Sequence, residues 1–229
     1  MNRPIVESLE PVTLVGGGPV AARSLRAALA RAPRLVAADG GADRLLHAGL
    51  MPEAVIGDFD SISAEARAAI PLARQHPIAE QESTDFDKAL RHIRAPLVLG
   101  LGFWGARMDH GLAALSVLAR YPDRACLLLA ETCLAFLAPL RLTLQLRPGD
   151  RLSLFPLGPV RGQSAGLRWP IAGIDFAPDG RIGTSNEVTE RRVTLAFDAP
   201  RMLVILPRAR LDAAVSALRP AAPPDAHAG

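Results

Sequence analysis

From residue 12 to about residue 129, short apolar runs alternate with amphipathic stretches, and the spacing predicts strands and helices in turn. Val12–Val15 predicts a strand that runs into Gly16-Gly17-Gly18-Pro19, followed by an amphipathic helix from about Val20 to Arg31. Leu35–Ala38 predicts a second strand, followed by Asp39-Gly40-Gly41 and a short helix through Leu46 that Gly49 and Pro52 end. Ala54–Ile56 predicts a third strand, and Ala64–Ile70 a helix. Thr84 is placed as the N-cap of a helix from Asp85 to about Arg94, with Asp85 and Asp87 in its first turn, where acids oppose the helix dipole favourably. Leu97–Leu99 and Ala125–Leu129 predict further strands, with a helix over Asp109–Ala119 between them. Strand and helix in alternation imply a parallel sheet covered by helices.

The period changes after about residue 133. Leu142, Leu144 and Leu146 alternate with polar residues, Pro148-Gly149-Asp150 supplies a turn, and Leu152 and Leu154 resume the alternation. Val193, Leu195 and Phe197 repeat it, and Met202–Leu206 predicts a last strand. Alternation at period two, punctuated by glycine and proline, implies an antiparallel β-sandwich or barrel, of which the sandwich is expected here. The expected fold class is therefore α/β plus all-β. Residues 1–133 form an α/β sandwich domain, residues 134–219 a β-sandwich domain, and the Pro/Ala-rich 220–229 a disordered tail.

Composition narrows the class. With 49% hydrophobic and 21% charged residues the 229-residue chain is expected to be globular, and no apolar run reaches the roughly 18 residues a bilayer span requires. Met1–Pro11 lacks the apolar centre of a signal peptide, and Cys126 and Cys133 sit in apolar stretches that suit reduced thiols, so a cytoplasmic location is expected. The basic residues are spread along the chain without a dense block and the net charge is only +3, so no nucleic-acid footprint is indicated; no membrane partner is expected either. Lys88 is the single lysine among 26 basic residues, and it falls within Thr84-Asp85-Phe86-Asp87-Lys88. A compact ammonium there faces phosphate, pairs with an acid, or is simply a solvated surface lysine.

Four acidic positions, Asp39, Asp58/Asp60, Asp85 and Asp109, recur about one strand-plus-helix unit apart. In a parallel sheet the carboxyl ends of the strands share one edge, where ligands bind, so these acids are expected to converge. A cluster of oxygen ligands suits Mg²⁺, which commonly accompanies phosphates. Within Gly57-Asp58-Phe59-Asp60-Ser61 the two aspartates share one face of an extended chain and favour one cation; otherwise the segment is an acidic turn with Ser61 capping the next helix. Gly16-Gly17-Gly18 and Asp39-Gly40-Gly41 stand at strand ends, either as phosphate-approaching loops or as tight turns, and no Walker loop occurs. Gly100–His110 brings glycines, Arg107, Asp109 and His110 together, and arginine is a natural phosphate clamp; His110 is either a site residue or a helix-cap or packing residue. In the second half, Trp169 either stacks on an aromatic ligand or packs in the core, and Ser185 and Asn186 either bond its heteroatoms or build a turn.

The ordered set A-D-G-G-A-D at 38–43, G-D-F-D-S at 57–61, T-D-F-D-K-A-L at 84–90, R-M-D-H at 107–110, G-L-R-W-P at 166–170 and T-S-N at 184–186 resembles the thiamine pyrophosphokinase family. The resemblance spans about residues 12–206. It implies transfer of the pyrophosphoryl group of ATP to the hydroxyl of thiamine, giving thiamine diphosphate and AMP, by a homodimer with sites at the dimer interface. It also implies Mg²⁺ on Asp58, Asp60 and Asp85, with Arg107 and Asp109 completing the catalytic set. Gly17, Gly18, Asp39, Gly40, Gly41, Ser61, Thr84, Lys88 and His110 are assigned to ATP and its phosphates, and Trp169, Ser185 and Asn186 to thiamine. The chain departs from the family pattern at Gly105-Ala106 for Gly-Gly, Glu80-Gln81-Glu82 for D-Q-D, and Ala42-Asp43 for A-N, and none of these removes a central acid. A pyrophosphokinase for a pterin alcohol and a non-catalytic nucleotide or thiamine binder are the competing readings.

Overall fold

Five strands of the first half are buried along their whole length or nearly so, which only a sheet covered on both faces allows. They are β2 (Val12–Val15), β3 (Arg34–Ala38), β4 (Ala54–Gly57), β7 (Val98–Leu101) and β8 (Cys126–Leu129). The computed structural model describes residues 3–105 and 107–219, and the tail expected at 220–229 lies outside them. Helices α1 (Ala22–Leu29), α2 (Gly41–His47), α3 (Ala64–Ala69), α4 (Asp85–His92) and α5 (Met108–Arg120) connect the strands. Two minor pairings complete this half: β5 (Gln75–Pro77) on β4, and β1 (Val6–Glu7) with β6 (Ile93–Arg94). The helix predicted to reach Arg94 therefore stops at His92, because Ile93 and Arg94 join a strand pair.

The C-terminal half contains β9 (Cys133–Leu137), β10 (Arg141–Gln145), β11 (Arg151–Pro156), β12 (Gly162–Ala165), β13 (Gly183–Glu187), β14 (Arg192–Phe197) and β15 (Met202–Pro207), then α6 (Leu211–Leu218). Leu142 and Leu144 of β10 and Val193, Leu195 and Phe197 of β14 are buried at alternate positions, as one-sided antiparallel strands require. The sheet β10-β14-β12 packs its apolar face on β9, β11 and β15 through one core that holds Leu142, Leu195, Leu154, Val204 and Phe136. The fold is thus a parallel α/β layer followed by an antiparallel β-sandwich.

One ten-stranded sheet, ordered β13-β11-β15-β9-β8-β7-β2-β3-β4-β5, runs through both halves. The expected boundary at 133/134 falls on the first residues of β9, which pairs antiparallel with β8 on one side and β15 on the other. On the parallel side the chain steps outward from β2 to β3, β4 and β5, then returns to place β7 and β8 on the opposite flank of β2. The order reverses between β2 and β7, and the carboxyl ends at such a reversal open a crevice.

Candidate active site

That crevice is a cleft of about 630 Å³. Gly16, Gly17 and Gly18 leave β2, Gly40 follows β3, Asp58, Asp60 and Ser61 follow β4, and Gly102, Phe103 and Trp104 leave β7; all of them line it. Gln81, Ser83, Thr84, Asp85, Arg107 and His110 close the remaining walls. The glycines answer partly to backbone crowding. A Cβ on Gly18 would lie 2.5 Å from the Gly102 carbonyl oxygen, whereas one on Gly17 would meet nothing closer than 3.7 Å. Gly17 is thus the glycine whose bare backbone no protein neighbour demands.

Carboxylate oxygens of Asp39, Asp58 and Asp60 lie within 4.8 Å of one another, the only such grouping among the described residues. The route to this convergence differs from the extended chain expected. Phe59 takes a left-handed φ of 69°, and the Asp60 amide donates to Asp58 Oδ1 at 3.3 Å, so a turn rather than a strand aims both acids. Asp39 is also left-handed (φ 42°) and buried; its Oδ2 accepts from the Ser61 amide at 3.0 Å, while its Oδ1 has no protein partner. Burial, and then the charge of Asp85, push the Asp39 carboxyl up to about 6. Ser61 donates to Asp60 at 2.7 Å, and the helix cap belongs instead to Ser63, which accepts from the Ala66 amide.

Asp85 opens α4, where Thr84 caps the helix by accepting from the Asp87 amide at 3.3 Å. Burial first, and the nearby Asp58 charge second, raise the Asp85 carboxyl above its ordinary value. Lys88, one turn on, has a side chain only 1% exposed; its Nζ donates to Asp58 Oδ2 at 2.6 Å and stands 3.7 Å from Asp85 Oδ1. Burial alone would lower this ammonium, but Asp58, Asp85 and Glu80 outweigh it and raise it. Of the alternatives for Lys88, acid pairing describes its position; it is neither solvated nor part of the cleft lining. Gln81 donates to the same Asp58 oxygen at 3.1 Å, from a loop anchored by an Arg91–Glu80 ion pair at 2.7 Å.

Arg107 and Asp109 form an exposed two-bonded pair, at 3.1 and 2.5 Å, that holds the Asp109 carboxyl near 2; the arginine lines the cleft and the aspartate does not. Gly41 also lies off the cleft, buried at the first position of α2 against the end of β2. The structure brings in residues to which the sequence reading gave no site role. Asp43, Arg44 and His47 line the wall from α2, and Arg44 Nε donates to the Gly17 carbonyl at 3.2 Å. Their signal was present: counted from Gly40 they sit at the three-, four- and seven-residue steps of one helix face.

A second cleft of about 330 Å³ lies in the β-sandwich, lined by Trp169, Thr184, Ser185 and Asn186 among others. Arg168 covers one face of the Trp169 ring at 5.2 Å. Asn186 is buried; its Oδ1 accepts from the Trp169 and Glu187 amides at 3.2 and 2.8 Å, and its Nδ2 donates to the Trp169 carbonyl at 2.7 Å. It therefore binds the tryptophan loop to β13. Ser185 has a left-handed φ of 61° opposite a register shift in β11, and its exposed side chain is turned out by that irregularity.

Acids gathered over the reversal point of a parallel sheet, beside a glycine-rich strand-to-helix turn, define an enzyme that handles a phosphorylated nucleotide. Residues 25–128 match the thiamin pyrophosphokinase catalytic domain and residues 140–202 the thiamin pyrophosphokinase vitamin B1 binding domain. The chain belongs to the thiamine pyrophosphokinase family. Thiamine pyrophosphokinase 1 of Arabidopsis thaliana is 28% identical over 202 residues, covering 73% of this chain and 76% of its own. Thiamin pyrophosphokinase from Geobacillus thermodenitrificans superposes with a TM-score of 0.70 at 25% identity, over 86% of this chain and 96% of its own. The yeast enzyme, at 15% identity, shares the fold with a TM-score of 0.73 over 91% and 93% of the two chains.

Proposed function

We infer that this chain is a thiamine diphosphokinase, transferring the pyrophosphoryl group of ATP to the hydroxyl of thiamine with release of AMP. The observation that carries the reading is the Asp39, Asp58 and Asp60 cluster at the nucleotide-sized cleft: Asp58 and Asp60 line it, and Asp39 lies buried behind them with an oxygen that no protein group satisfies. An all-carboxylate donor set with an orphaned buried oxygen fits a hard divalent cation such as Mg²⁺. Asp58 and Asp60 would hold it, with Asp39 or Asp85 as the third acid. When bound, the ion neutralises charge on the transferring phosphates.

The chain's own groups do the rest. Arg107, His110 and Arg44 line the cleft where phosphate oxygens gather charge, and Gly17 leaves room for close approach. Lys88 holds Asp58 from behind, so the acid is aligned before substrate arrives. The thiamine hydroxyl oxygen attacks the β-phosphorus, the bond from that phosphorus to the α,β-bridging oxygen breaks, and the hydroxyl proton passes to a cleft carboxylate.

Thiamine is assigned to the second cleft, with Ser185 as a hydrogen-bonding group and the open face of Trp169 against the cationic ring. Strand β13, which bears Ser185, stands seven positions from β3 in the sheet, on the order of 30 Å at about 4.8 Å per strand. A hydroxyl bound there cannot reach a phosphate at Asp39 of the same chain, which supports a homodimer in which each β-sandwich serves its partner's α/β layer. On this reading residues 1–133 hold nucleotide and metal, residues 134–219 hold thiamine and the dimer contact, and the enzyme works in the cytoplasm. No helix among the described residues is long and apolar enough to cross a membrane. Incubation with ATP, Mg²⁺ and thiamine should yield AMP and thiamine diphosphate in equal amounts; ADP with thiamine monophosphate would refute the reading.

A further inference from the structure

The loop after β7 turns on two glycines with left-handed backbones, Gly102 (φ 76°) and Gly105 (φ 108°), and sends its two aromatic residues in opposite directions. Phe103 turns inward: its ring centroid is 4.5 Å from that of Phe86, and a Cβ on Gly16 would fall 2.5 Å from it. Trp104 turns outward, is 44% exposed, and lines the same cleft as Asp58, Asp60 and Gly17.

The back of the Trp104 ring is held by a helix. Gly111 lies inside α5, and a Cβ there would come within 3.0 Å of the Trp104 ring. Glycine in a helix interior costs about 1 kcal/mol relative to alanine. The bare backbone at Gly111 gives the indole room to lie this close to the helix; a Cβ there would push the ring back by a few tenths of an ångström. An indole braced on one side, free on the other and opening into a cleft whose far wall carries phosphate-binding groups is a platform for a flat ring. Trp104 is the exposed ring among the phenylalanines and tryptophan of this wall, since Phe86 is buried and Phe103 is half-buried.

We propose that Trp104 stacks on the nucleobase of the bound nucleotide, a contact that supplies affinity for purine nucleotides without choosing between bases. The proposal rests on the reading of this cleft as the ATP site. Every base has a π-face, so stacking on Trp104 strengthens binding of ATP and GTP alike, and discrimination between them falls to other groups.

The chain has two tryptophans, so in the Trp169→Phe protein Trp104 is the sole indole emitter. ATP and AMP should change its emission saturably, while inorganic tripolyphosphate, which carries no base, should bind calorimetrically and leave emission unchanged. In the otherwise unaltered enzyme, Trp104→Ala should raise KM for ATP and for GTP by about ten-fold, leave kcat within about two-fold, and leave KM for thiamine unchanged. Trp104→Phe should restore most of the loss. ATP that releases heat on binding but leaves Trp104 emission unchanged, or emission that responds to thiamine and not to nucleotide, would overturn the stacking role and leave the ATP site standing. No heat with ATP at all would overturn the reading of the cleft, and this contact with it.

Discussion

Lys88 shows how one side chain organises several acids. Its ammonium is buried between Asp58 and Asp85, so its removal leaves two carboxylates without their cation in a low-dielectric setting. Lys88→Met is expected to lose about 3 kcal/mol of stability and to lower turnover by about a hundred-fold. The double variant with Asp58→Asn should be at least about 1 kcal/mol more stable than the two single losses predict, as urea unfolding would measure. A Lys88→Met protein within about 0.5 kcal/mol of the wild type would contradict this. Asp39 supplies a pH signature. Its carboxyl rises from 3.8 to about 6 on folding, through burial and then the charge of Asp85. Between those values the folded chain keeps a proton that the unfolded chain has released. Stability therefore falls as pH rises through this window, by roughly 3 kcal/mol once it is passed. Asp39→Asn should flatten the pH–stability curve between about 4 and 6. In the wild type the rise in Tm with Mg²⁺ should grow from pH 5 to 7.5, and in the Asn variant it should be much reduced; equal Mg²⁺ responses in the two proteins would count against Asp39 as a ligand.

Among the elements, α2 depends on its first residue. A Cβ on Gly41 would sit 1.9 Å from the Val15 carbonyl oxygen, a backbone atom of β2 that cannot move without the sheet. Gly49, just beyond the same helix, has φ 72° and nothing within 4 Å of its would-be Cβ. Alanine at the two positions separates close packing from backbone strain. Gly49→Ala should cost about 1 kcal/mol through its left-handed φ alone. Gly41→Ala should cost several times more and weaken ATP binding, because α2 carries Asp43, Arg44 and His47 into the cleft. Equal losses at the two positions, measured by thermal unfolding, would show that α2 can shift freely on the sheet.

For the whole molecule, the separation of the two clefts along one sheet makes the expected assembly testable. An Asp60→Asn protein and a Ser185→Ala/Asn186→Ala protein, each with little activity alone, should recover up to about a quarter of wild-type activity when their subunits exchange, the share of sites in which the two unaltered halves meet. Ser185→Ala alone should raise KM for thiamine more than KM for ATP. A fully active monomer in sedimentation, or no recovery despite proven exchange, would mean that each chain completes its own site.

The alternation of buried strands with helices up to residue 129, and its change to period two beyond, were written in side-chain hydropathy, because a strand covered on both faces must be apolar throughout and a half-wet strand need not be. The acids at Asp39, Asp58, Asp60 and Asp85 were legible for a similar reason: strand ends and helix caps carry strong local signals. Asp109 at the first turn of α5 was equally visible, but that it pairs with Arg107 and stays off the cleft depends on a loop path that no local rule sets. The short strands Gln75–Pro77 and Ile93–Arg94 and the helix Leu211–Leu218 gave weak or ambiguous patterns, being stabilised by neighbours rather than by propensity. Tertiary structure alone decided the left-handed turn at Phe59, the burial of Lys88, and the Gly111 recess that braces Trp104. Lys88 meets Asp58 across thirty residues and the turn at Phe59 is tied to Asp39 through the Ser61 amide, whereas sequence periodicity carries only near neighbours.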